Sequence, residues 1–186
     1  MGARFEAVAG LDEMVAQMVA PEVRKVAVRV ERRAKQTAPP AKRWVSMLDN
    51  DVRDTHQIAH GQEVPGNLRF QLEGREWDRA RGITAPDGND YFYEPRDTST
   101  GHTLETAQNA GPCRCHAALM PTAIAQAIKT ERMSVYGTEI RVLVSCEFVQ
   151  IVACEFGDSY PTRFGSIHQD GTRFMGKAAA YVAATM

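Results

Sequence analysis

The sequence predicts an α+β fold, in which one small antiparallel sheet is packed by an N-terminal and a C-terminal helix and a loop-rich module is inserted between them. Three observations lead there. Near both ends of the chain apolar residues recur at three- and four-residue steps, as a half-buried helix requires. Residues 139–146 alternate instead, with Ile140, Val142, Val144 and Cys146 facing one way, the pattern of a half-buried strand. Residues 43–116 are rich in Gly, Pro, Asp and Asn and show little helical periodicity. A polar, loop-rich stretch of that length buries little apolar surface, so something other than a large core must tie it down. The expected division is therefore a body of residues 1–42 plus 117–186 and an inserted module of residues 43–116. No internal repeat is visible.

Taken in order, the first helical region spans Leu11 to Thr37, with Asp12 able to cap its start. Its apolar stripe is Val15, Met18, Val19, Val23, Val26, Val30 and Ala34, and Pro21 either kinks it or starts a second helix. The opposite face carries Arg24, Lys25, Arg29, Glu31, Arg32, Arg33 and Lys35. Such a run reads as a solvated face, with a partner or phosphate surface as the other reading. Ala38-Pro39-Pro40 stops the helix. Trp44 to Leu48 is expected as a short strand, and Asp49-Asn50-Asp51 as a turn, because these side chains bond their own backbone. Val52 to His60 makes one or two helical turns with His56 and His60 on one face, ended by Gly61. Val64-Pro65-Gly66-Asn67 is a turn, and Leu68 to Leu72 a short strand.

Glu73 to Arg81 is charged around a single Trp77, and residues 84–90 are loop-like. Tyr91-Phe92-Tyr93 is expected to plug a small core; a base-stacking platform would need a basic surround that is missing. Pro95 to Gly101 is again loop. From Ala117 the character changes. Met120-Pro121 introduces a helical stretch with Ile124, Ala127 and Ile128 on one face. The strand Glu139–Cys146 follows, then a second apolar run, Phe148 to Phe156, expected as its neighbouring strand. Tyr160 to Gly171 is expected as a loop. Thr172 to Ala184 closes the chain as a helix with Phe174, Ala178, Tyr181 and Val182 as its apolar face.

Composition narrows the function classes. A chain of 186 residues with 44% hydrophobic residues has room for one medium domain or two small ones with a real core. A net charge of −1 and a pI near 6.5 leave no basic footprint for holding nucleic acid. No apolar run approaches the roughly 20 residues that span a bilayer, and Met-Gly-Ala-Arg-Phe-Glu-Ala at the N-terminus lacks the core of a signal peptide. The expectation is a soluble chain made in a cytoplasm, where thiols stay reduced. Cys113 and Cys115 are too close to bridge each other comfortably and suit a metal better, while Cys146 and Cys154, among apolar residues, read as small buried hydrophobes.

Zinc asks for four N or S ligands in a tetrahedron, commonly two from each of two chain segments. His56 and His60 offer one pair, Cys113 and Cys115 the other, with Gly111-Pro112 able to turn the backbone sharply. His102, Glu105 and His116 are spare candidates. With all four positions filled, such a zinc would be structural. The other reading packs the thiols under Trp44 and hydrogen-bonds the histidines to loop carbonyls. No carboxylate cluster marks a two-metal site, and no nucleophile motif frames a serine.

Two family resemblances add to this. The run Val26-Ala27-Val28-Arg29-Val30-Glu31-Arg32-Arg33-Ala34-Lys35-Gln36-Thr37-Ala38-Pro39, with Ala153-Cys154-Glu155-Phe156-Gly157-Asp158 and Met175-Gly176-Lys177-Ala178-Ala179, resembles the phage neck and tail-completion family. Those are small α+β proteins that ring the head–tail junction of tailed phages. Trp44 with Leu48-Asp49, Val52-Arg53, His56 and Gly61, then Pro95-Arg96-Asp97, Glu105, Asn109 and Cys113-Arg114-Cys115, resemble the C-terminal module of phage Mu F-like minor head proteins. Ala110-Gly111-Pro112 separates Asn109 from Cys113, where that family runs Asn straight into Cys, and its ribosyltransferase-like region is absent. A module borrowed into a neck protein fits both halves. The resemblance implies a non-enzymatic virion protein, assembled in the host cytoplasm as a homo-oligomeric connector ring. Its neighbours would be portal or adaptor and tail proteins, with DNA passing through unbound and no membrane involved. The alternatives are a zinc-containing nuclease and a small regulatory binding module.

Overall fold

The computed structural model describes residues 3–10, 20–80, 84–97, 112–136, 139–162 and 165–185. The fold is α+β, built of helices and small antiparallel sheets, with helices near both ends. The chain divides into two compact units, one of Met1–Pro40, Thr122–Phe156 and Thr172–Met186, the other of Ala41–Pro121 and Gly157–Gly171. Ala41, Lys42 and residues 117–121 and 157–171, expected in the outer body, fall in the second unit. No helix among the described residues is long and apolar enough to cross a membrane.

In the first unit the helix α1 (Ala20–Thr37) has Pro21 in its first turn, where the missing N–H has no intrahelical partner to lose. It buries Val23, Val26, Ala27, Val30 and Ala34 as one stripe, and Arg24, Lys25, Arg29 and Arg32 stay exposed. Leu11 to Val19, with the Asp12 cap, lie outside the described residues. The sheet has the order β1 (Ala3–Gly10), β8 (Glu139–Cys146), β7 (Ile128–Tyr136), all antiparallel. Val142, Val144 and Cys146 are buried, as their alternation predicts. The β7–β8 register slips between Thr130 and Arg132. There Glu31 of α1 accepts hydrogen bonds from the Thr130 amide at 2.9 Å and hydroxyl at 2.7 Å, pinning the helix to the strand.

Two expectations in this unit are corrected. Phe148 to Phe156 is not a strand beside β8, whose partners are β1 and β7, but a turn and a short helix, α5 (Ile151–Phe156). Its buried positions, Phe148, Ile151 and Cys154, are three apart, a helical step that the β-branched residues disguise. The stretch after Pro121 is helical only as α4 (Ala123–Ala127); Ile128 turns extended, at φ −83° and ψ 130°, and opens β7. The closing helix α6 (Phe174–Ala184) buries Phe174, Met175, Ala178 and Val182, whereas Tyr181, expected on its apolar face, is exposed. Arg173 precedes it in the left-handed region without a side-chain cap. Glu155 of α5 supplies the missing acceptors: one carboxylate oxygen takes the Met175 N–H at 3.2 Å and the other the Gly176 N–H at 3.0 Å.

The second unit contains a sheet of order β3 (Glu63–Pro65), β2 (Ala41–Val45), β6 (His116–Met120) and two hairpins. One hairpin pairs β4 (Phe70–Glu73) with β5 (Asn89–Phe92), the other β9 (Gly157–Thr162) with β10 (Gly165–Asp170). The second hairpin replaces the loop expected from Tyr160 to Gly171: its Pro, Gly and charged residues hide the alternation, but Tyr160 anchors it. The Tyr160 ring tilts over Tyr91 at 5.4 Å, and its hydroxyl accepts the Arg69 N–H at 3.4 Å. The strand expected over Trp44–Leu48 begins earlier, at Ala41, and Leu48 beyond it takes a left-handed φ of 54°. Val52 to His60 yields one short helix, α2 (Asp54–Ile58). Glu76–Ala80 forms another, α3. The core is Trp44, Val52, Ala59, Val64, Phe70, Leu72, Phe92 and Cys115, with Cys113 and Ala117 packed against it. Phe92 plugs it as expected.

Candidate metal centre

The site is assembled from three short pieces of the second unit. The first is β2 with the residue that follows it: Lys42, Trp44 and Ser46, at alternate positions, are all buried. The second is the turn leading into α2. Asp49 bonds its own backbone, its side chain accepting the Asp51 N–H at 3.2 Å and its carbonyl the Val52 N–H at 3.0 Å. Gln57 reaches back to the carbonyls of Asp49 and Val52, at 3.1 and 2.9 Å. This fixes α2 so that His56 lies completely buried, its ring edge-on to Trp44 at 5.2 Å. The third piece is Cys113-Arg114-Cys115, running into β6. The one-residue spacing sends both sulfurs toward the core and Arg114 outward, where it pairs with Asp49 at 2.5 Å and Asp51 at 3.2 Å. An exposed pair adds little stability. Its effect is positional, since it fastens the cysteine segment to the turn that carries His56.

The ligand atoms of His56, Cys113 and Cys115 all lie within 4.8 Å of one another, so the cluster can hold a metal ion. The Cys115 sulfur and His56 Nδ1 are 3.4 Å apart. With metal–ligand bonds of the usual length, the edge of an N/S zinc tetrahedron is about 3.5 Å, so this pair is already at coordinating separation. Burial above all, then the neighbouring Cys113 sulfur, pushes the Cys115 thiol up, and the polar side chains of Ser46 and Trp44 pull the other way. A buried thiol pulled both ways suits a cation that takes the proton's place.

His60, expected as the fourth ligand, is not in the cluster. A four-residue step puts two side chains on one helical face only while the helix lasts, and α2 ends at Ile58. His60 is exposed, and its Nδ1 accepts the Ser46 N–H at 3.1 Å. His116 is exposed at the start of β6, and His102 and Glu105 lie outside the described residues. Cys146 and Cys154 are buried apolar-site thiols as expected, burial pushing Cys154 up to about 11. Trp44 and Ser46 carried no metal signal in the sequence. The period-two pattern of positions 42, 44 and 46 was legible in principle, but Lys42 and Ser46 made it read as polar.

Two other polar groupings stand in this unit. Lys42 Nζ donates to the Tyr93 carbonyl at 2.6 Å and sits 3.3 Å from the Tyr93 ring centre. Burial first, then Arg69 nearby, lowers its pKa to about 7 against the opposing pull of Asp97 and Glu94. On the β9–β10 hairpin, Ser159 Oγ meets His168 Nδ1 at 3.2 Å and His168 Nε2 meets Asp170 at 3.4 Å. This has the connectivity of a hydrolytic triad with the ring nitrogens reversed, and His168 and Asp170 are 66% and 97% exposed. Charge stabilisation of the kind that drives acyl transfer needs a water-excluded setting. The grouping is a surface hydrogen-bond chain. No protein-family model, curated protein or solved structure matches the chain.

Proposed function

We propose that the chain is a structural protein of a tailed-phage neck, a repeated building block of the connector ring between capsid and tail, whose second unit is clasped by a zinc ion on His56, Cys113 and Cys115. The observation that carries this reading is the clasp itself. Residues far apart in sequence, His56 and the Cys113–Cys115 pair, converge in a core that also contains Trp44 and Phe70. Zinc with one neutral imidazole and two thiolates is a neutral centre, which is far cheaper to bury than a net charge. Zinc would supply cross-linking here, with His56 on α2 and Cys113 and Cys115 on the segment leading into β6 as the residues that would hold it.

The quoted motifs support placement in a phage neck, and two physical features agree with it. Each phosphate neutralised by Lys or Arg adds affinity for DNA, so a conduit through which DNA slides is best built near neutrality, as this chain is at a net charge of −1. The exposed face of α1, with Arg24, Lys25, Arg29 and Arg32 around the half-exposed Val28, offers a contact surface of the kind a ring of copies repeats. Negative-stain electron microscopy of the purified full chain tests the assembly. Closed rings are expected at micromolar concentration, and a monodisperse monomer with or without zinc contradicts the reading. Metal-dependent cleavage of plasmid DNA that disappears with His56→Ala would replace it with a nuclease.

A further inference from the structure

The two compact units carry opposite charge. Along the sequence, the first holds 12 Lys and Arg against 9 Asp and Glu, the second 10 against 14. The net charge of −1 thus conceals a basic unit and an acidic one. In the first unit the excess is concentrated on α1. Arg24, Val28 and Arg32 stand four residues apart with Arg29 beside them, so all four share one side of the helix. The three arginines are exposed, and among the described residues none has a carboxylate partner. Val28 between them is 57% exposed, and the open groove along this face has no acidic residue among its described lining. The second unit has the complement where β5 meets the β9–β10 hairpin. Asp87 and Asp158 are exposed there, and neither has a Lys or Arg partner among the described residues. Tyr91 links them: its hydroxyl donates to Asp87, and its ring tilts against Tyr160, which shares a face of β9 with Asp158.

We propose that the arginine face of α1 docks on the acidic face of the second unit of another copy of this chain, with Arg24, Arg29 and Arg32 set against Asp87 and Asp158. The pairing rests on the reading of the chain as a repeated building block and names the two surfaces that repeat. Copies that are nearly neutral overall do not repel one another at long range, while their unlike units attract. A phosphate backbone also carries negative charge, but the acidic unit would repel it, whereas a second copy brings both signs. Two unlike surfaces on each copy make the contact heterologous, the type that continues from one copy to the next.

Light scattering of the full chain after size exclusion tests the pairing. The parent is expected to assemble at about 0.05 M salt and to loosen at about 0.5 M, where screening shortens the reach of its charges. One variant combines Arg29→Glu with Arg32→Glu. The other combines Asp158→Lys with Asp87→Asn, which keeps an acceptor for the Asn89 N–H. Each is expected to weaken assembly by about 100-fold or more, because like charges then face each other. Mixing the two in equal amounts is expected to restore it, since each supplies the surface that the other has lost. Should the second variant fail to fold by circular dichroism, Asp158→Lys alone takes its place. Assembly that survives both variants, or that is lost in each without recovery on mixing, overturns the pairing and leaves the building-block reading standing. Retention of DNA by the parent, abolished by the arginine substitutions, would give the face to nucleic acid instead. A parent that stays monomeric at both salt concentrations overturns the building-block reading, and the pairing with it.

Discussion

His56 and His60 are four residues apart in sequence and have opposite expected roles. His56, fully buried with Nδ1 at 3.4 Å from the Cys115 sulfur, is a proposed ligand; exposed His60 props the backbone of Ser46. His56→Ala is therefore expected to reduce zinc binding below detection in isothermal titration, and His60→Ala to weaken it by no more than the about 10–100-fold of an outer partner. Equal losses in the two variants would return His60 to the ligand set. Lys42 gives a second single-residue prediction. Its folded pKa of about 7 lies below its ordinary value, so between the two the folded chain holds fewer protons than the unfolded one. Stability from this group is lowest below pH 7 and rises as the pH climbs from there toward 10.5. Thermal melts of Lys42→Met against the parent are expected to show the variant's relative advantage at pH 6 shrinking by pH 9; a pH-independent difference contradicts it.

Among the elements, the brace between α5 and α6 shows how a helix start can be satisfied from a distance. Arg173 lies in the left-handed region and offers no cap, so buried Glu155 takes two amide protons of the next helix, and the Glu155 carbonyl takes the Arg173 N–H at 3.0 Å. Glu155→Ala strands those amides and is expected to cost about 1–2 kcal/mol in denaturant unfolding, with Glu155→Gln recovering part of it. A loss under a few tenths would mean that water caps α6 instead. Glu31 makes the comparable tie between α1 and β7. Burial works to raise its carboxyl, but Lys35 and Thr130 together outweigh that and hold it below its ordinary value. Its contribution is present above the ordinary carboxylate range and is lost as acid protonates it.

What the sequence made legible follows the same division. Elements with a clean period, namely α1, β8 and α6, were readable because each buries one face along most of its length. The helix α5 was missed because six residues give too short a window to separate a three-residue step from an apolar strand. The β9–β10 hairpin was missed because, among its described residues, Tyr160 is the buried apolar anchor. The two cysteines and His56 could be picked out by chemistry alone. The burial of Ser46 could not, because it follows from the end of β2, where His60 accepts the Ser46 N–H.

At the scale of the whole molecule, the proposed neck protein has a loop-rich unit that a bound metal ion would make rigid enough to be repeated in an assembly. Such a unit has a modest core of its own, so cation binding free energy becomes folding free energy. Zinc removal by a chelator is then expected to lower the unit's melting temperature by several degrees or more, about 4–8 °C for each kcal/mol in a domain of this size. Native mass spectrometry of the full chain, purified with zinc and without chelator, reads the central claim most directly. One zinc(II) in place of two protons on every chain, lost in Cys113→Ser and Cys115→Ser, is the predicted result. A metal-free mass at saturating zinc would contradict it.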